Sequence, residues 1–290
     1  MAKTTVYDLH NSFDSDTYLD KSERNIQRVS NKLDDYIKVP NEENIHDIRK
    51  AVRRLEASYR SLPSKKVRRK RVIREYAEYS KKLFSINSQI RDFDIINEKL
   101  QKYPSNPQRD NIIEAMKATR NERLERAKTI ALAIKSTDIA TILDEIGVTE
   151  KELQKRYNKI LSRLISNIES NFPVVITNPL ALEELHDLRI ACKKLRYMLE
   201  LLPDENKLAT KTRESLQKVQ DMLGSIHDCD FTIDYLRSLP QSSKEVQDIV
   251  NMENNERRLK FEQFMNYCNR RLRISPESFL IKIRSFKLPT

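Results

Sequence analysis

The sequence predicts an all-α fold of two tandem four-helix units related by an internal repeat. Only two glycines, Gly147 and Gly224, occur in 290 residues, which leaves little from which to build β-hairpins or phosphate-cradling glycine loops. Apolar residues recur at alternating spacings of three and four, the period of one helix face. The second half of the chain also echoes the first.

Taken in order, a first helix runs from about Tyr18 to Lys38 and closes at Pro40. A second covers Glu42 to Leu62, ended by Pro63, and a long third covers Lys65 to Lys102. Pro104 and Pro107 break the chain before a fourth, Arg109 to Lys135, because proline cannot continue a preceding helix. A short amphipathic turn, Asp138 to Ile146, ends at Gly147 as a left-handed cap. Thr149 and Glu152 form a capping box that opens a helix to about Asn171. Residues 172–179 are predicted as a connector, and Pro179 as a first-turn proline of a helix to Leu202. Next come helices over Asp204 to Leu223 and, after Gly224, Asp228 to Leu239. A Ser242–Glu245 box then opens a helix to Arg271, and one short turn follows Ser275.

Apolar residues make up 38% and charged residues 33% of the chain, too apolar for disorder and too charged for a membrane protein. Two cores of ordinary size suit this length, so residues 1–147 and 148–290 are predicted as separate bundles. Cys192, Cys229 and Cys268 are odd in number and widely spaced, indicating neither a disulfide framework nor a zinc site. That usage, the absence of an 18-residue apolar run and a polar start predict a cytoplasmic protein. The formal net charge of +11 predicts an anionic partner.

The repeat is most explicit in two places. His46-Asp47-Ile48-Arg49-Lys50-Ala51-Val52-Arg53-Arg54-Leu55 aligns without gaps with His186-Asp187-Leu188-Arg189-Ile190-Ala191-Cys192-Lys193-Lys194-Leu195, and both helices end in Leu-Pro. Ile90-Arg91-Asp92-Phe93-Asp94 pairs with Ile226-His227-Asp228-Cys229-Asp230, at a register that carries Arg71 onto Lys207 and Lys82 onto Lys218.

Within the first repeated helix, Ile45, Ile48, Val52, Leu55, Tyr59 and Leu62 form a core stripe. Beside it run His46, Arg49 and Arg53, matched by His186, Arg189 and Lys193 and extended by Arg196, again at spacings that stack side chains on one line. Like-charged neighbours on a helix cost a few tenths of a kcal/mol per pair, so stability gives no reason for such a column. A polyanion does, since guanidinium groups grip phosphate oxygens at two points and lysines add point charge. Charge is concentrated as well. Residues 44–82 hold 14 Lys plus Arg against 4 Asp plus Glu, including the run Lys65 to Arg71.

At these residues the chain resembles the CHAD family, the conserved-histidine α-helical domain, whose mark is a His-x-x-Arg-x-x-x-Lys/Arg helix in each half. His46, Arg49 and Arg53 match it once, and His186, Arg189, Lys193, Lys194 and Arg196 match it again. Leu223-Gly224 with Asp228 and Asp230 is similar to the family's later Leu-Gly and Arg-Asp-x-Asp segment. The resemblance spans about Asp16 to Arg273 and implies two tandem antiparallel four-helix bundles related by a pseudo-twofold, with a basic groove or pore between them that binds inorganic polyphosphate, without catalysis. It also implies association with polyphosphate granules. Expected binding residues are His46, Arg49, Lys50, Arg53, Arg54, Arg71, Lys82, His186, Arg189, Lys193, Lys194, Arg196, Lys207 and Lys218, with no cofactor or metal. Departures from the pattern are Glu56, where the second copy has Arg196, and Ser88 and His227, where glycine and arginine are expected.

Two rival functions fit parts of the pattern. His46-Asp47, His186-Asp187 and His227-Asp228 read as metal-binding pairs of a phosphohydrolase, but Arg49 and Arg189 one turn away repel a divalent cation. Asp92, Asp94, Asp228 and Asp230 read instead as helix caps or partners of the basic column. A nucleic-acid binder would use the same cations. However, there is no Trp, and the aromatics fall at core spacing, not between the basic residues, so nucleic acid is expected to bind more weakly.

Overall fold

A computed structural model of the chain describes residues 13–63, 71–137, 149–240, 243–270 and 276–286. Among these residues there is no strand. The helices are α1 (Ser15–Lys38), α2 (Glu42–Ser61), α3 (Arg71–Leu100), α4 (Pro107–Lys135), α5 (Glu150–Thr177), α6 (Leu182–Leu199), α7 (Lys207–Arg237), α8 (Lys244–Arg270) and α9 (Pro276–Arg284).

Side-chain caps start most of them. Asp14, Asn41, Asn106 and Asn206 each accept a hydrogen bond from the backbone N–H three residues on, satisfying donors that a helix start leaves orphaned. Pro107 occupies the first turn of α4, and the Thr149–Glu152 capping box of α5 forms in both directions. At α8 the cap is Ser243, whose hydroxyl accepts from Val246 N–H at 3.3 Å. The expected cap Ser242, the turn 138–146 with Gly147, and residues 65–70 lie outside the described residues.

Three expectations change. Helix α5 does not stop at Asn171 but continues through Pro173 to Thr177. An interior proline costs about 3 kcal/mol, whereas Phe172 and Val175 are both fully buried and together return about that much or more. The reverse turn comes later, where Asn178 Oδ1 accepts from Leu180 N–H at 2.9 Å. Pro179 therefore sits in the turn ahead of α6, not in its first turn. Helix α7 is also continuous across Gly224, with no positive-φ residue described anywhere. Fully buried Leu223 and Ile226 on either side outweigh the roughly 1 kcal/mol that a helical glycine costs.

In each half, successive helices pack on one another, α1 on α2 through α3 on α4 and α5 on α6 through α7 on α8. Across the halves α1 meets α5, α2 meets α6, α3 meets α7 and α4 meets α8. Each helix thus touches its own counterpart, the pattern that a pseudo-twofold axis generates. Side chains repeat the relation. Tyr18 OH donates to Ser58 O at 2.8 Å and Tyr157 OH to Met198 O at 2.9 Å, while the two rings meet edge-on at 6.5 Å.

One core cluster, around Val29, Ile48, Leu83 and Ala131, draws on α1–α4 alone. A second is centred on α5–α9 but takes in Tyr18, Ala57, Leu62 and Ile73, and a third joins α3 and α4 to α7 and α8. The halves are consequently held face to face by shared apolar packing, which fixes what lies between α2 and α6.

Candidate functional site: a basic cleft between the halves

The cleft occupies about 690 Å³ between α2, α3, α6 and α7. From α2 it is lined by His46, Arg49 and Arg53, and from α6 by His186, Arg189, Lys193 and Lys194. The two columns therefore face one another across a single space. Core packing explains the placement: Ile45, Ile48 and Val52 on α2, and Leu185, Leu188 and Cys192 on α6, are buried in their own halves, and the helical period turns the adjacent columns inward.

The electrostatics are those of crowded cations taken out of water. Lys193 is only 8% exposed, and burial with Arg53, Arg189, Arg49 and Arg196 close by lowers its pKa to about 6. Burial, then Arg53, lowers Arg49 to about 10. Arg53 and Arg189 are shifted down by burial as well. The Nε atoms of Arg49 and Arg189, equivalent in the repeat, are buried and make no hydrogen bond, and a buried donor left unmade costs about 1–3 kcal/mol.

The three cleft histidines do not add charge near neutrality. Burial first, and neighbouring cations after it, lowers His46 and His186, and His227 falls to about 3. His186 and His227 rings lie 5.3 Å apart. Asp47, beside His46, is held by Lys32 at 3.0 Å. Among the described residues no group of three or more His, Cys, Asp or Glu is placed to hold a metal ion.

Asp92, Asp94, Asp228 and Asp230 lie inside α3 and α7, so none of them is a helix cap; capping fails for Asp228 and Asp230 because α7 runs on through Gly224, and for Asp92 and Asp94 because they stand well inside the long third helix, which leaves pairing with cations as their role. Asp94 accepts from Arg120 of α4 at 2.6 Å, and Asp230 from Arg257 of α8. These two buried bridges are equivalent in the repeat and tie α3 to α4 and α7 to α8. Asp92 and Asp228 instead line the cleft, where burial raises both pKa values against the opposing pull of Arg49 and Arg189.

The remaining expected residues do not line this cleft. Arg54 pairs with Glu200 at 2.6 Å and Arg196 with the same carboxylate at 3.1 Å. Arg71 is exposed and pairs with Glu75, Lys82 lies 5.6 Å from the Tyr79 ring, and Lys207 and Lys218 are exposed on α7. Lys50 stands near His46, whose pKa it depresses. Conversely, Arg60, Phe84, Arg91 and Tyr197 line the cleft without having been singled out as binding residues. Phe84 carries the guanidinium groups of Arg49 and Arg53 at 5.7 and 4.9 Å. Tyr197 carries those of Arg54 and Arg196 at 5.6 and 4.3 Å. Arg91 had a signal, since it belongs to the second echo.

A family model described as "CHAD domain" matches residues 23–237. The crystal structure of the CHAD domain from the plant Ricinus communis superimposes with a TM-score of 0.64 at 13% identity, covering 93% of this chain and 91% of that one. No curated protein matches. With the doubled His-x-x-Arg helix, the paired halves and a family match over most of its length, the chain belongs to the CHAD domain family.

Proposed function

We propose that the chain binds inorganic polyphosphate, without catalysis, in the cleft between α2 and α6. The observation that carries this is the pair of buried Arg49 and Arg189 Nε donors that make no hydrogen bond, one from each half, facing a space crowded with cations. Phosphate oxygens satisfy such donors and relieve the mutual repulsion, and a chain of them serves both columns at once. The rings of Phe84 and Tyr197 already carry two guanidinium groups each, which leaves little free π-face for base stacking. Nucleic acid is the weaker partner in this account, and cytoplasmic residence with association to polyphosphate granules belongs to the same proposal. No described helix is long and apolar enough to cross a membrane.

Titration of polyphosphate and single-stranded RNA at matched phosphate concentration and salt tests it. Tighter binding of polyphosphate, with no phosphate released on adding Mg²⁺ or Mn²⁺, is expected. Equal affinity makes the chain a general polyanion binder, and metal-dependent phosphate release makes it an enzyme.

A further inference from the structure

A second cationic cavity of about 300 Å³ lies between α1, α2 and the start of α7. Arg54 and Glu200 form one wall. Lys21, Arg24 and Arg28 of α1 and Arg213 of α7 form the rest, with Asp204 as the other carboxylate. Lys21 is held by Asp204 at 2.7 Å. Arg28 and Arg213 bond only to the neutral groups Asn25 Oδ1 and Thr210 Oγ1, at 3.2 and 3.1 Å. Five cations thus surround two carboxylates.

The repeat explains what this cavity is. In the register set by Tyr18 and Tyr157, Lys21 corresponds to Ile160 and Asn25 to Leu164; in that of α2 and α6, Arg54 corresponds to Lys194 and Arg60 to Glu200. Ile160, Leu164, Lys194 and Arg60 all line the main cleft, which therefore extends to α5 at one mouth. Their counterparts Lys21, Asn25, Arg54 and Glu200 line the second cavity instead. The charge inversion at one position accounts for the difference. Arg60 faces Lys194 and is paired within its own helix to Glu56, while Glu200 bridges Arg54 of the other half and Arg196 of its own. Both arginines are stacked on Tyr197, whose ring also lines the main cleft.

Resting on the polyphosphate reading, we propose that this cavity is a second anion subsite, the far mouth of the cleft, cut off by a Glu200 latch, and that it takes further phosphate groups of the same polymer. A chain long enough to reach it competes with the Glu200 carboxylate for Arg54 and Arg196, opening one continuous path. Short chains stay in the main cleft. Tethered occupancy of the second subsite makes affinity depend on chain length, because the second contact becomes intramolecular.

The test compares tripolyphosphate with long-chain polyphosphate on the full chain, by competition titration. Glu200→Gln removes the competing carboxylate and is expected to raise the long-to-short affinity ratio by about threefold or more. Arg28→Gln with Arg213→Gln, both away from the core, is expected to lower that ratio by about the same factor. If both variants leave the ratio at the wild-type value while the wild type still binds tripolyphosphate, the subsite is wrong and the main cleft stands. If the wild type binds neither polymer, the subsite and the functional reading fall together.

Discussion

Lys193 is a buried amine with four arginines for neighbours. Its pKa near 6 in the folded chain lies below the ordinary lysine value, so between those two values the unfolded chain holds a proton that the folded chain lacks. Stability should therefore rise with pH across that window, and the cost of charging Lys193 is fully expressed below about pH 6. Lys193→Met should raise Tm by roughly 3 °C or more at pH 7 while weakening polyphosphate binding, the trade expected where a site stores repulsion. A bound polyanion favours the charged amine. Titration calorimetry at pH 7 in buffers of different ionisation enthalpy should then read net proton uptake, which Lys193→Met reduces. His46 and His186 are depressed from the usual histidine value in the free chain, and a polyanion that favours their charged forms should bind more tightly as pH falls towards those depressed values. The residue identities of the two columns were legible in the sequence because the repeat printed them twice. Lys193's neutrality was not, because desolvation depends on which helices close over it.

At the scale of the element, the sequence located α1, α2, α4 and the end of α3 well because Asn or Asp caps and prolines mark them, and misjudged α5 and α7 because burial overrode local punctuation. Pro173 and Gly224 are strong breakers in isolation, yet Phe172, Val175, Leu223 and Ile226 beside them are fully buried. Gly224 makes a direct test. A Cβ built there meets no atom within 4 Å and the backbone needs no positive φ, so Gly224→Ala should stabilise the fold by about 0.5–1 kcal/mol in denaturant unfolding. The bridge between Arg257 and Asp230 behaves oppositely. Both side chains are largely buried, at 10% and 15% exposure, and Arg257→Met leaves the carboxylate without its partner. A loss of about 3 kcal/mol is expected in the same measurement, with α8 loosened from α7.

For the whole molecule, the repeat does what neither half can do alone. Each half carries one cationic column, and the face-to-face meeting of α2 with α6 converts two tolerable columns into one shared, self-repelling cleft. The pseudo-twofold was legible from the echoed His-x-x-Arg segments. Its imperfections were only partly so: Glu56 against Arg196 stood out, but the inversion of Arg60 to Glu200 gains meaning only once Arg54 of the other half is found on that carboxylate. Because several phosphates displace counterions together, log affinity should fall linearly with log salt, and removing one phosphate-contacting arginine should reduce that slope by about one. The most direct measurement is a polyphosphate titration of the Arg49→Glu, Arg189→Glu double variant at fixed ionic strength, alongside its far-ultraviolet circular dichroism. Loss of binding with helical content unchanged is the predicted result. Retained affinity in a folded double variant contradicts the placement of the polymer between α2 and α6.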